Sequence, residues 1–597
     1  MERILLVEPN YKNKYPPVGL MKLSTYYKDK GDFVEFHKGL LPKSEVVKFD
    51  KVFITTLFTF DFDMCVQTIR YYIAIVGSNN VYVGGIAATI MPENFLNAIP
   101  EINIIGGQLT SSNLLGYDDN VNIDSLMLDY DILWDISYDY AAADSYFIYT
   151  TRGCPRKCKF CAVKTLEPTF YNCNNITCQV NAVDANFGIK KQLLVMDNNI
   201  LYSRQFSKTV ATLEALGFGI NNNKIKKNNY MKYYLISLEK RMGAEKKYGN
   251  LLSRIKKEFY SLKFIRINKN DAIILHNVIA KIDKQDDSEI ITYIFENRDF
   301  IVEFFGRYNY HTIVRYIDFN QGLDARLFTD KKAENMARLA VKPCRIAFDS
   351  LKMRQAYFNA MSMAIKHGIR SFSNYLLYNH DEKPEDLWLR LSLNIQFCKD
   401  NQVSLFSFPM KFASIEHKDR SYVGTHWNKK YLRAVNIILN VTSGVVAKEE
   451  DFFIRAFGKS KEEFVVILTM PDDFIRHRDF FDEKGFSQVW KEYYERLSKR
   501  EKVQLISIVE NIVDEPDVLD MKYTTNIDNI LMFYAISKKK VEDNELYYSN
   551  LLKDLRNNIY SSEQLEKRVN NNIFHTKTAI PLNDTKIADR NIEVPMT

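Results

Sequence analysis

Three cysteines within eight residues, Cys154, Cys158 and Cys161, are the residues of this 597-residue chain best placed to do chemistry. They lie in YTTRGCPRKCKFCAV (149–163), a C-x3-C-x2-C spacing that follows a predicted strand. A loop this short wraps three thiolates around one face of an iron–sulfur cube, so one of the four irons is left without a protein ligand. An open iron is a place for chemistry, whereas a fully ligated cluster passes electrons only. Structural zinc takes four ligands, as two C-x2-C pairs or a mixed Cys and His set. Here one tight group stands alone, and Cys173 and Cys178 are the next cysteines along the chain. Arg152, Arg156 and Lys157 flank the thiols; basic neighbours favour thiolate over thiol, and they are equally ordinary loop residues.

The elements that would position this loop read as strands alternating with helices. Over residues 1 to about 120, RILLVEP (3–9), DFVEFHKG, DKVFITTLFTF (50–60), VYVGGIAAT (81–89) and INIIGGQL (102–109) read as strands. Between them, a helix begins after Pro16-Pro17 and ends at Gly31, and MCVQTIRYYIAIVG (64–77) is helical. This alternation is the signature of a parallel sheet covered by helices. The glycine pairs Gly84-Gly85 and Gly106-Gly107 either admit a ligand close to the backbone or are tight turns.

A second alternation places strands at SYFIYTTRG (145–153), KQLLVMDNN (191–199), TIVRYIDFNQG (312–322), CRIAFDS (344–350), IRSFSNYLLYN (369–379) and VSLFSFPMKF (403–412). Six such repeats predict an open or closed barrel. Some ninety residues, about 220–311, interrupt it as a helical, Lys-, Asn- and Tyr-rich insertion, and the chain is helical and charged from about 481 to 597. Cys65, Cys344 and Cys398 read as single buried thiols, and Cys173 with Cys178 is half of the ligand set a second cluster would need.

Composition bounds the function without naming it. Hydrophobic residues at 46% and charged residues at 26% describe a globular chain, with no apolar run of membrane-spanning length and no signal-peptide pattern in MERILLVEPN. A cytoplasmic address without membrane contact is the expectation. The net charge of +7 is a small excess over a long chain. Basic and aromatic residues do interleave in IKKNNYMKYY and YGNLLSRIKKEFYSLKF, as they do on nucleic-acid surfaces and also on solvated helix faces with buried aromatics.

The cysteine loop, with Phe160 at the aromatic position before the last cysteine, resembles the signature of the radical SAM superfamily, and the six repeats resemble its partial (β/α)6 barrel over about 140–480. Residues 1–130, with RILLVEP, YPPVGLMKL, YVGG and IIGG, resemble the cobalamin-binding-like Rossmann domain that precedes the barrel in many such proteins. The resemblance implies a [4Fe-4S] cluster on Cys154, Cys158 and Cys161 and S-adenosyl-L-methionine at the open iron. Reductive cleavage would give a 5′-deoxyadenosyl radical that acts on an unknown substrate, with electrons from a donor such as flavodoxin or ferredoxin.

Strand carboxyl ends supply ligand groups in such barrels. They nominate Asp197, Asn198 and Asn199 for the methionine amine, Gln321 and Arg326 for a carboxylate or ribose, and Asp349 for S-adenosyl-L-methionine or substrate, while the cysteine signature adds Phe160 beside the cluster. The sequence departs from the superfamily's common Gly-Gly-Glu at 197–199, and Asp324 with Arg326 reads equally as a helix start. The first-strand loop EPNYKNKYPPVG lacks the DxHxxG of histidine-ligated cobalamin domains. Both a cobalamin-dependent methyl transfer and plain radical chemistry stay open, as does a non-catalytic iron–sulfur binding or sensing protein on the same scaffold.

Overall fold

A computed structural model describes residues 1–226, 229–308, 312–446, 449–511, 523 and 525–557. The chain is an α/β protein with two compact units. The first comprises Met1–Ala347, Ala356–Phe372 and Ala413–Tyr422; the second comprises Phe348–Gln355, Ser373–Phe412 and the chain from Val423.

The first unit opens with strands β1 (Arg3–Glu8), β2 (Phe33–Lys38), β3 (Lys51–Thr56), β4 (Val81–Gly85) and β5 (Asn103–Ile105). They form one parallel sheet in the order β2-β1-β3-β4-β5. Every residue from Ile4 to Glu8 is buried, because helices cover both faces. Leu5, Val7, Val52, Ile54, Val81 and Val83 form a core with Cys65, Ile69 and Tyr72 of the helix Phe62–Val76. From the opposite face, Phe53 meets Tyr27 of the helix Val18–Asp29 at 5.4 Å between ring centroids. The third strand is shorter than its apolar run, since a 3-10 turn starts at Thr59.

Further along the same unit, β6 (Ser145–Ile148), β9 (Gln192–Val195) and β12 (Tyr316–Phe319) form a second parallel sheet with β9 in the middle. A two-residue strand β7 (Thr151–Arg152) pairs antiparallel with β8 (Tyr171–Asn172). The run 312–322 is two strands, not one. Its first part, β11 (Thr312–Val314), pairs antiparallel with β10 (Lys224–Lys226), while β12 joins β9. Arg315 marks the break, with its buried guanidinium donating to Leu216 O at 2.9 Å and to the Tyr146 hydroxyl at 3.1 Å. The strand expected over 344–350 is confined to β13 (Cys344–Arg345).

The insertion forms helices Tyr230–Gly243, Gly249–Ser261, Lys269–Lys284, Asp287–Glu296 and Arg298–Arg307; its expected edge at 309–311 lies outside the described residues. These helices have their own core, which includes Leu238, Leu252, Ile255, Phe259, Ile290 and Phe304. Asn268 and Asp286 cap two of them by accepting from the third backbone N–H.

The second unit contains most of β14 (Ser371–Tyr378), β15 (Ser404–Lys411) and the helices from Lys429 onward. Residues 512–522, 524 and 558–597 of the expected helical extension lie outside the described residues. Among the described residues, no helix is long and apolar enough to cross a membrane.

Candidate functional site

Because β7 and β8 pair, the segment between them is an excursion pinned at its base, and it holds all three clustered cysteines. The Cys173 N–H closes the base further by donating to Thr150 O at 2.8 Å. Gly153 opens the excursion with φ +72°, and a Cβ there would stand 2.2 Å from Thr169 O, so only glycine fits. Beyond it, the Cys161 N–H donates to Cys158 O at 3.2 Å, and a short helix, Val163–Leu166, leads back toward the base.

Two carboxylates hold this loop in place. Glu167 accepts from Arg152 Nη1 at 2.6 Å, from the Gly153 N–H at 2.7 Å and from Asn198 Nδ2 at 2.7 Å. Arg152 is buried, lies 3.3 Å over the Tyr149 ring and pairs with Asp124, which also accepts from Lys22 Nζ at 2.8 Å. Asp324 pairs with Arg156 of the cysteine loop and with Arg326 at 2.7 Å. Burial works against ionising Asp324, but the Arg326 and Arg156 guanidiniums together outweigh it and hold its carboxyl below the ordinary range. Burial works against the charge on Arg326, but Asp324, with a smaller contribution from Cys158, holds its guanidinium above the ordinary range.

The three polar residues after β9 have three different roles. Asp197 is buried, and its carboxylate accepts from the Thr150 N–H at 2.7 Å, the Thr151 hydroxyl at 2.8 Å and the Thr150 hydroxyl. Burial pushes its carboxyl up to about 6, against the pull of those hydrogen bonds. Asn198 serves Glu167. Asn199 places Nδ2 3.5 Å from Cys154 Sγ and 3.5 Å from Asp324 Oδ2, while its Oδ1 is buried with no hydrogen-bond partner.

The other nominated residues are more dispersed. Phe160 is half-buried on the loop, Gln321 is exposed in the turn after β12, and Asp349 is half-buried in the second unit. Asp324 caps the short helix Ala325–Leu327 by accepting from the Arg326 N–H at 3.1 Å, so the helix-start reading of that segment holds too. Glu167 escaped the sequence reading altogether. It is a single acid six residues past Cys161, with no spacing pattern to flag it.

All eight cysteines lie among the described residues, and none forms a disulfide. Burial pushes the thiols of Cys65 and Cys344 up to about 12 and that of Cys173 up to about 11, which suits inert packing groups. Cys178 is exposed on the helix Ile176–Phe187. Among the described residues, no three His, Cys, Asp or Glu side chains are gathered closely enough to hold a metal ion as they stand. The donor set itself suits a thiolate-ligated group: three half-buried thiols on one pinned loop, an amide directed at one sulfur, and two guanidiniums to offset anionic charge. The chain matches no protein-family model, and no curated protein is significantly similar to it.

Proposed function

We propose that the chain is a radical SAM enzyme. In this reading Cys154, Cys158 and Cys161 hold a [4Fe-4S] cluster and residues 140–480 form the partial barrel around it. The observation that carries the reading is the pinned cysteine loop at the carboxyl ends of β6 and β9, with the buried Asn199 amide against Cys154 Sγ. When bound, the cluster and S-adenosyl-L-methionine supply reductive cleavage to methionine and a 5′-deoxyadenosyl radical, with the electron coming from a flavodoxin- or ferredoxin-type donor.

The chain's own residues supply position and charge. Glu167 fixes the start of the loop through the Gly153 N–H and the Arg152 guanidinium. Asp324 ties the middle of the loop to the end of β12 through Arg156. Asn199 Oδ1, buried and unpaired, is the acceptor for the amine of the methionine moiety. Arg326 pairs with Asp324, which Asn199 Nδ2 approaches at 3.5 Å, and Phe160 lies on the cysteine loop itself.

Residues 1–130 share the strand order of doubly wound nucleotide-binding domains, which supports the Rossmann-like reading. The carboxyl ends of β1 and β3 do not fit cobalamin as they stand. Glu8 is bound by Lys38 at 2.6 Å and by Tyr140, and the space beside Gly85 is filled by the Thr56 backbone. These contacts favour radical chemistry without a corrinoid over cobalamin-dependent methyl transfer.

The test is anaerobic reconstitution with iron and sulfide, chemical reduction and assay of 5′-deoxyadenosine from S-adenosyl-L-methionine. Its formation is expected. A stable cluster that yields none would instead identify an iron–sulfur binding protein without turnover.

A further inference from the structure

The chain's positive charge is concentrated in one place. Residues 240–269 contain ten basic and two acidic residues, leaving 71 basic against 72 acidic over the rest of the chain. Residues 240–269 therefore account for the whole net charge of +7.

Half of those cations have structural duties. Arg241 and Lys246 are buried against Asp135, at 2.6 and 2.9 Å. Lys247 pairs with Glu45, Arg254 with Asp139 at 2.7 Å and Lys256 with Asp287 at 2.7 Å. The other five, Lys240, Lys257, Lys263, Arg266 and Lys269, are exposed and carry no ion pair among the described residues. Four of these five fall where the helix Gly249–Ser261 turns into the helix Lys269–Lys284.

At that corner stands Phe264, 90% exposed between Lys263 and Arg266. Its neighbours Phe259 and Leu262 are buried in the core of the insertion, so the fold had an apolar interior available and left this ring outside. An isolated phenyl ring among unpaired cations matches what a single-stranded polynucleotide requires: a face on which a base stacks and charges that follow the phosphates.

We propose that the corner formed by Lys257, Lys263, Phe264, Arg266 and Lys269 binds single-stranded nucleic acid. The other aromatics of YGNLLSRIKKEFYSLKF are not part of the contact, since Phe259 is core, Tyr248 packs against that core, and Tyr260 bonds Asp283 and lies under Lys263 Nζ at 5.2 Å. The inference does not rest on the cluster, and its test needs neither cluster nor S-adenosyl-L-methionine.

Fluorescence anisotropy of the full chain with labelled oligouridylate and with mixed-sequence single-stranded DNA measures it. Four phosphate contacts at about 0.7 each in log–log slope give a roughly 50-fold loss of affinity between about 50 and 200 mM salt. F264A is expected to weaken binding roughly 5- to 150-fold, the loss of one stacked base, with thermal stability unchanged. The double variant K263Q/R266Q should lower the salt slope by about 1.4 without depending on the ring. Absent or salt-insensitive binding of both strands, or equal binding by wild type and both variants, overturns the proposal. Tighter binding to phosphatidylglycerol vesicles than to either oligonucleotide, lost in the same variants, overturns it in favour of an anionic lipid surface.

Discussion

At the carboxyl end of β1, Glu8 is fully buried and fully engaged, bound by Lys38 at 2.6 Å, Asn13 at 3.3 Å and Tyr140. At the carboxyl end of β9, Asn199 is nearly as buried, yet one of its two polar atoms has no partner. Both sheets are parallel and both present strand ends where ligands bind in such folds. Their strand ends nevertheless differ in kind. At the first sheet Thr56 donates to Gly84 O at 2.9 Å, Phe58 stacks on Phe60 at 5.0 Å and Arg420 lies 3.9 Å over Phe60, while the Tyr11 hydroxyl and Gln108 Nε2 are buried there without a partner. The second leaves a buried acceptor open beside half-buried thiols, a cost of about 1–3 kcal/mol.

The comparison breaks most completely if the thiols prove dispensable. C161A should abolish both the thiolate-to-iron absorption of reconstituted protein and cleavage of S-adenosyl-L-methionine, and survival of either would show that the ligands lie elsewhere. The two strand ends can then be set directly against each other. E8Q leaves buried Lys38 without its counter-ion and should lower stability by about 3–5 kcal/mol in urea denaturation. N199L removes an already unpaired oxygen together with the two long Nδ2 contacts to Cys154 and Asp324, and should cost the cluster-free protein only about 1 kcal/mol while weakening S-adenosyl-L-methionine binding. Equal losses in the two variants would erase the distinction drawn here.

Asp197 adds a pH signature to the second sheet. Burial raises its carboxyl from 3.8 unfolded to about 6 folded, so the folded state holds the proton more tightly. Its contribution is therefore fully present below about pH 4 and is lost as the pH rises through 6, a fall on the order of 3 kcal/mol. The difference in unfolding free energy between wild type and D197N should change across that window and be flat above it.

The smallest effects separate packing from function at two glycines. A Cβ on Gly85 would lie 2.4 Å from Thr56 O, and one on Gly153 2.2 Å from Thr169 O, both at positive φ. Each alanine variant should cost about 1–3 kcal/mol. G85A should still bind iron and sulfide in proportion to folded protein, whereas G153A should not, as measured by iron content per folded chain.

Much of the frame was legible in the sequence. The apolar runs of β1, β6 and β9 mark strands because burial on both faces leaves an uninterrupted hydrophobic signal. The run 312–322 misled, because a strand that changes partners at Arg315 has the same composition as one that does not. Within the site, the triplet 197–199 was visible as polar but not divisible. Only side-chain direction distinguishes the clasp Asp197, the brace Asn198 and the open Asn199.

The sequence by itself determined the thiol spacing, the strand positions and the charge of residues 240–269, since each is a property of neighbours along the chain. Only the tertiary structure decided what surrounds the thiols. Arg156 meets Asp324 across 168 residues and Asn199 meets it across 125. It also decided that Phe259 is core and Phe264 is surface, five positions apart. Contacts at such separation arise from how strands and helices pack, which local pattern does not encode.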